Sequence, residues 1–102
     1  MRLLVLCWLL SACAHASLTV EAARARVTQG ALLLDVRSPG EFAEGHLAGS
    51  VNVPVNEIES TQQSLPADRS REIIVYGVGS SKARTLLLRA GYARVFHLVS
   101  WN

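Results

Sequence analysis

Residues 33–54 read L-L-D-V-R-S-P-G-E-F-A-E-G-H-L-A-G-S-V-N-V-P, and this stretch decides the fold. The apolar run of residues 31–36 stops at the turn residues 38–40, which is typical of a strand covered on both faces. Residues 41–44 are long enough for one helical turn, and residues 50–53 form a second short strand. The stretch therefore predicts a strand, a short helix and another strand.

A short amphipathic helix is predicted before this stretch. Val20, Ala23 and Val27 fall on one helical face. Thr19 is a plausible N-cap, and Gly30 ends the helix.

Two further strands are predicted in the second half of the chain. Residues 55–60 start another helix, which fades into a polar stretch. The β-branched run of residues 73–76 forms the clearest strand, and residues 92–98 hold the last one. Strands that alternate with helices imply right-handed crossovers and a mainly parallel sheet, so the fold class is α/β.

The strongest helix prediction lies between the last two strands. Ser80 and Ser81 are expected to cap it, and Gly91 is expected to end it as the C′ residue. The apolar residues spaced three and four apart along it are Ala83, Leu86, Leu87 and Ala90.

The first sixteen residues have the pattern of a secretory signal peptide. The apolar run of residues 3–10 follows Arg2, and residues 14–16 read as an A-x-A cleavage site. Residues 10–13 also resemble a lipobox, in which Cys13 would be lipidated and the protein would be an envelope lipoprotein. We prefer soluble export, with residues 1–16 as signal peptide and residues 17–102 as one periplasmic or secreted domain.

Composition excludes several classes of protein. A chain of 102 residues is one domain at most. Because 50% of the residues are hydrophobic and only 18% are charged, the composition excludes intrinsic disorder. The net charge of +2 falls to +1 when Arg2 leaves with the signal peptide, which gives no case for nucleic-acid binding. Cys7 and Cys13 are the two cysteines, so neither export route leaves a free thiol.

In parallel α/β sheets, ligands bind outside the carboxyl ends of the strands. Two segments are expected there: residues 35–37 after the first buried strand, and residues 76–82 between the clearest strand and the strongest helix.

At these residues the chain resembles rhodanese-like domains, whose signature reads D-V-R-x-x-x-E-F-x-x-G-H-I-x-G-A-x-N-I-P. Nearly every marked position of residues 33–54 agrees, and the resemblance extends over residues 18–98. The signal peptide and small size make the chain similar to short periplasmic sulfurtransferases of the phage-shock type. The resemblance implies a small three-layer α/β fold with a mainly parallel sheet.

The family implies transfer of a sulfane sulfur from thiosulfate or another donor, through a cysteine persulfide, to cyanide or a thiol. That cysteine follows the strand that corresponds to residues 73–76, where this sequence has Gly77. Ser80 and Ser81 are no substitute, because a hydroxyl is a weaker nucleophile than a thiolate and forms no stable persulfide. The segment from Gly77 to Gly91 is also about three residues shorter than in the family, and Trp101 is a remnant of the usual C-terminal motif.

A binding role for the shortened loop stays open. Backbone N–H groups and a lysine near a helix N-terminus suit sulfate, thiosulfate or phosphate. A tight strand-to-helix turn is the favoured alternative, because Gly-x-Gly alone is a weak signal. The candidate anion-binding residues are Gly77, Val78, Gly79, Ser80, Ser81 and Lys82.

Other polar residues are expected to be structural. Asp35 and Arg37 should hydrogen-bond the loops together, and His46 should have a structural role. His97 has no partner at metal-ligand spacing, so neither a metal nor another cofactor is expected. The family-motif residues in supporting positions are Asp35, Arg37, Glu41 and His46. The arginines expected to be solvated are Arg24, Arg26, Arg84, Arg89 and Arg94.

Three function classes follow. The first is a non-catalytic sulfurtransferase homologue, a pseudoenzyme that acts as a binding or interaction module of the cell envelope, with a small oxyanion or an envelope protein as partner. The second is a thiosulfate sulfurtransferase-type sulfur carrier that works with a partner's thiol. The third is a truncated, non-functional product.

Overall fold

The structure is a computed structural model that describes residues 16–98 and residue 101. The described residues begin at the last residue of the expected signal peptide. Residues 1–15, with Cys7 and Cys13, lie outside them.

The described chain forms five strands and three α-helices. The strands are β1 (Ser17–Leu18), β2 (Leu32–Asp35), β3 (Val51–Asn52), β4 (Ile73–Tyr76) and β5 (Val95–Leu98). The α-helices are α1 (Val20–Thr28), α2 (Pro39–Glu44) and α3 (Ser80–Arg89). Two 3₁₀-helices, Val55–Glu57 and Gln62–Ser64, lie between β3 and β4.

All the strands pair in parallel in the order β1-β5-β4-β2-β3. The predicted α/β class is thus confirmed. The central strand β4 is buried along its whole length, as its continuous apolar run predicts for a strand with helices on both sides.

The core lies in two layers, one on each side of the sheet. Alternate strand residues point to opposite faces, so Leu34 and Val75 pack with Leu87 of α3 on one side. On the other side, Ile74 packs in a cluster with Ala23 of α1. The three-layer arrangement implied by the family resemblance is therefore present.

The predicted helix starts are right for α1 and wrong for α3. Thr19 caps α1, because its Oγ1 accepts a hydrogen bond from the backbone N–H of Ala22 at 3.1 Å. The N-cap of α3 is Gly79, which makes no side-chain capping bond, and Ser80 is already the first helical residue. Ser80 and Ser81 lie one and two residues too far along the helix to cap it.

Helix α2 begins earlier than expected. Ser38 is its N-cap, with Glu41 completing a reciprocal capping box, and Pro39 is accepted at the first helical position. Two of the three expected turn residues therefore belong to the helix.

The helix expected from residue 55 onward is wrong, since only short 3₁₀ turns form there. The hydroxyls of Ser60 and Thr61 both donate to the carbonyl of Glu57, at 3.2 and 2.6 Å. The backbone N–H of Glu57 donates to Pro54 and that of Ser60 donates to Glu57, so the bonds span three residues as in a 3₁₀-helix instead of four. Within the described ranges, no helix is both long enough and apolar enough to span a bilayer.

Adjacent leucines in α3 test the packing. Leu87 is fully buried, whereas Leu88 is 38% exposed. We predict that Leu87→Ala lowers the free energy of unfolding by about 3 kcal/mol, because it leaves a cavity between α3 and the sheet. Leu88→Ala, the matched control, should cost less than about 1 kcal/mol. Urea unfolding of both variants measures the difference, and equal costs would contradict this packing.

Candidate functional site

Three polar residues end neighbouring strands at the carboxyl edge of the sheet. Asp35 pairs in register with Tyr76 on one side and with Asn52 on the other. The two segments expected from the sequence to lie at this edge, residues 35–37 and 76–82, are therefore adjacent. Tyr76 belongs to the second of these segments, whereas Asn52 was not singled out, although it stands at the last position of a strand.

Asp35 and Arg37 form a buried ion pair. Asp35 is fully buried, and Nη2 of Arg37 donates to its Oδ2 at 2.7 Å. Nε of Arg37 lies 3.1 Å from both carboxylate oxygens, and the backbone N–H of Arg37 donates to Oδ1 at 2.9 Å. Burial by itself would raise the pKa of Asp35, but these bonds from Arg37 outweigh it and lower that pKa. The pair is thus ionised and neutral overall.

Hydrogen bonds of Arg37, Asn52 and Tyr76 join the loops at this edge. Nη2 of Arg37 donates to the carbonyl of Gly45 at 2.6 Å, beyond the end of α2. The side-chain amide of Asn52 donates to the carbonyls of Asp35 and Arg37, both at 3.0 Å. The Tyr76 hydroxyl accepts from the backbone N–H of Leu47 at 3.1 Å. The edge is therefore rigidly cross-linked.

The segment between β4 and α3 is a tight turn. The backbone N–H of Ser80 donates to the carbonyl of Gly77 at 3.0 Å. Gly77 and Gly79 have φ of 110° and 95°, a region that L-residues rarely adopt. Between them, the Val78 side chain is 92% exposed.

Arg37 fills the space where a side chain at position 77 would begin. A Cβ built on Gly77 would lie 2.5 Å from Cγ and 3.4 Å from Cδ of Arg37. The first distance is too short for two carbon atoms, and Asp35 holds the arginine in place. Any larger residue at position 77 must therefore push the stem of Arg37 aside as well as adopt a strained φ.

Carboxylates line the open clefts of this edge. One cleft, of about 460 Å³, is lined by Arg37, Glu41 and Glu44, and another, of about 340 Å³, adds Glu57 and Val78. Because Asp35 neutralises Arg37, the carboxylates leave this surface with a negative charge. Ser81 and Lys82 lie in the exposed first turn of α3, and the N–H of Ser80 is already bonded to Gly77. The candidate anion loop therefore offers fewer donors than expected and lies on the same edge as these carboxylates.

The histidines make local contacts. The ring of His46 stacks on Phe42 with centroids 3.7 Å apart, and its Nδ1 donates to the Phe42 carbonyl at 2.8 Å, near the end of α2. Nε2 of His97 lies 2.9 Å from Oγ of Ser17. Residues 16–98 and 101 contain no group of three metal-ligating side chains.

Trp101 also belongs to this edge. Its ring meets Tyr76 edge-on with centroids 5.3 Å apart, and the guanidinium of Arg37 lies 5.6 Å from the ring centre. The first is a favourable edge-to-face aromatic contact and the second a cation–π contact. The resemblance of Trp101 to the family's C-terminal motif did not predict its contact with Arg37.

Asp35→Asn tests the ion pair. We predict a loss of about 3 kcal/mol in unfolding free energy at pH 7, because Arg37 is left with a largely buried, uncompensated charge. The folded pKa of Asp35 lies below 3.8, so its stabilisation is present above that pH and is lost as the pH falls further. The difference between wild type and variant should therefore narrow below pH 3.8. Glu44→Gln, at an exposed carboxylate of the same edge, should be neutral, and a pH-independent difference for Asp35→Asn would contradict the assignment.

Two curated proteins similar to this chain are sulfurtransferases. A sulfurtransferase of Allochromatium vinosum is 32% identical over 74 residues, which cover 70% of this chain and 67% of that protein. The thiosulfate sulfurtransferase PspE of Escherichia coli is 29% identical over 65 residues, 61% of this chain and 62% of its own length. The chain thus spans about two thirds or less of these curated relatives.

The fold is shared with solved structures. A human single-domain sulfurtransferase superposes with a TM-score of 0.71 at 27% identity, covering 81% of this chain and 88% of that one. The sequence profile described as a rhodanese-like domain matches residues 19–100. The chain therefore belongs to the rhodanese-like domain family, whose members include short thiosulfate sulfurtransferases.

Proposed function

We propose that this protein is an exported, non-catalytic member of the rhodanese-like family that acts as a binding module. The observation that carries the proposal is the geometry at Gly77. The stem of Arg37 occupies the space of a side chain at the position where the family resemblance expects the nucleophile. Residues 14–102 contain no cysteine, so the exported domain has no thiol of its own to form a persulfide.

The electrostatics of the carboxyl edge support the loss of sulfur transfer. Thiosulfate is a dianion, and Glu41, Glu44 and Glu57 line the clefts beside Arg37 at this edge. Arg37 is engaged by Asp35 and offers the anion no uncompensated charge. Like-charge repulsion therefore opposes the family's usual substrate at this edge.

The same surface suits a segment of another protein of the cell envelope. Val78 is almost fully exposed beside Val55 and Pro39, and carboxylates flank this apolar spot. An apolar side chain with basic neighbours complements it in shape and charge. We accordingly place the partner contact at this edge, and we regard the oxyanion alternative for residues 77–82 as the weaker one.

A sulfur-transfer assay on the exported protein tests the proposal. Intact mass should first show a chain that begins at Ser17, in keeping with the A-x-A pattern, whereas a lipidated Cys13 would add the mass of the acyl chains. We expect no thiosulfate-to-cyanide turnover above the uncatalysed rate, with the Escherichia coli thiosulfate sulfurtransferase as positive control. Turnover by the pure chain, or a sulfane sulfur bound to it covalently, would contradict a non-catalytic role.

Restoring a thiol should not restore activity. Gly77→Cys introduces both a strained φ and an overlap with Arg37, and the turn offers only a short loop of donors. Val78→Cys, the matched control, places a thiol in the same turn at an exposed position without positive φ. We predict that neither variant exceeds about one hundredth of the control enzyme's turnover. A rate near that of the control enzyme for either would refute the argument from loop length.

A further inference from the structure

The opposite edge of the sheet gathers basic residues. Because the strands are parallel, the residues that precede β2, β4 and β5 meet at the amino edge. The N–H of Leu32 donates to the carbonyl of Glu72, and that of Ile73 donates to the carbonyl of Arg94, both at 2.9 Å. Together with the end of α1, these segments enclose a cleft of about 290 Å³, at the opposite end of the strands from Gly77.

Three arginines line this cleft, and each is held by the protein. Nε of Arg71 donates to the carbonyl of Gly30 at 3.1 Å. Nε and Nη2 of Arg94 donate to the carbonyl of Ser70 at 3.1 and 2.8 Å. Nη1 of Arg26 pairs with Oε2 of Glu72 at 2.9 Å. Arg94 is exposed beside β5, as expected. The expectation that Arg26 and Arg84 are solvated is only partly right, because both are half-buried and Nε of Arg84 donates to the carbonyl of Val95 at 2.7 Å.

Most guanidinium donors in the cleft remain free. A guanidinium has five N–H groups, and among the described residues Arg71 uses one of them and Arg94 uses two. The positive charge of the arginines is only partly cancelled by nearby carboxylates. The cleft is lined by three arginines and by the carboxylates of Asp68 and Glu72, so the net charge of its lining is +1. Asp68 accepts hydrogen bonds from Ser70, and Glu72 pairs with Arg26.

We propose that the amino-edge cleft, lined by Arg26, Arg71 and Arg94, is a binding site for a phosphate group. Guanidinium donors fixed by backbone carbonyls match the tetrahedral oxygens of phosphate, and the fork geometry of arginine favours bidentate contacts. The phosphate comes either from a free ion or from the headgroup of an anionic phospholipid. This site is separate from the carboxyl edge and does not rest on the function proposed there.

Titration of the exported chain with inorganic phosphate tests the first source. Amide NMR signals of Gly30, Ser70 and Arg71 should shift saturably, with a dissociation constant below about 10 mM. Arg71→Gln and Arg94→Gln should each weaken binding at least fivefold, an effect of about 1 kcal/mol. Arg89→Gln, which removes an equal charge from an exposed arginine outside the cleft, is the matched control and should leave binding unchanged.

Vesicles test the second source. Cosedimentation with vesicles that contain phosphatidylglycerol should show the same order of variants if the headgroup supplies the phosphate. Arg71→Lys keeps the charge but removes the fork, so it should retain the fold and still weaken binding, which separates recognition from loss of structure. The proposal is overturned if neither phosphate nor vesicles bind saturably, or if Arg89→Gln weakens binding as much as Arg71→Gln and Arg94→Gln.

Discussion

The buried ion pair between Asp35 and Arg37 holds the carboxyl edge of this domain together. A carboxylate without any exposed surface is tolerable only because Arg37 neutralises it with several hydrogen bonds. The same arginine reaches Gly45, and its aliphatic stem lies where a side chain on Gly77 would start. One interaction thus joins the loops of this edge and places the stem of Arg37 in the space that a side chain at position 77 would need.

The two edges of the parallel sheet carry opposite charges. The carboxyl edge presents Glu41, Glu44 and Glu57 around a neutralised arginine, whereas the amino edge presents Arg26, Arg71 and Arg94 around two engaged carboxylates. A net charge close to zero conceals this polarity, because opposite charges at the two ends cancel in the sum. Long-range attraction of an anion therefore favours the amino edge over the carboxyl edge that contains Gly77.

Local sequence signals predicted the elements that depend on local or simple periodic contacts. The β-branched run of β4, the Thr19 cap of α1 and the glycine after α3 were all found where expected, because each acts within a few residues. The prediction of a helix after residue 55 was wrong, because residues 59–64 are all polar and give such a helix no apolar face to pack, and only 3₁₀ turns form there. The predicted serine cap of α3 was wrong, because Gly79 is the N-cap and Ser80 is already the first helical residue.

The sequence by itself determined the family, through the motif of residues 33–54, and the absence of any cysteine after Cys13, because both are matters of residue identity and order. Only the tertiary structure decided that Arg37 occupies the space beside Gly77 and that Arg26, Arg71 and Arg94 share one cleft. These residues are 40 positions apart in the first case and are spread over three segments in the second. Their contact depends on strand register and on which edge of the sheet each loop reaches, and neither quantity is encoded in the pattern around a single residue.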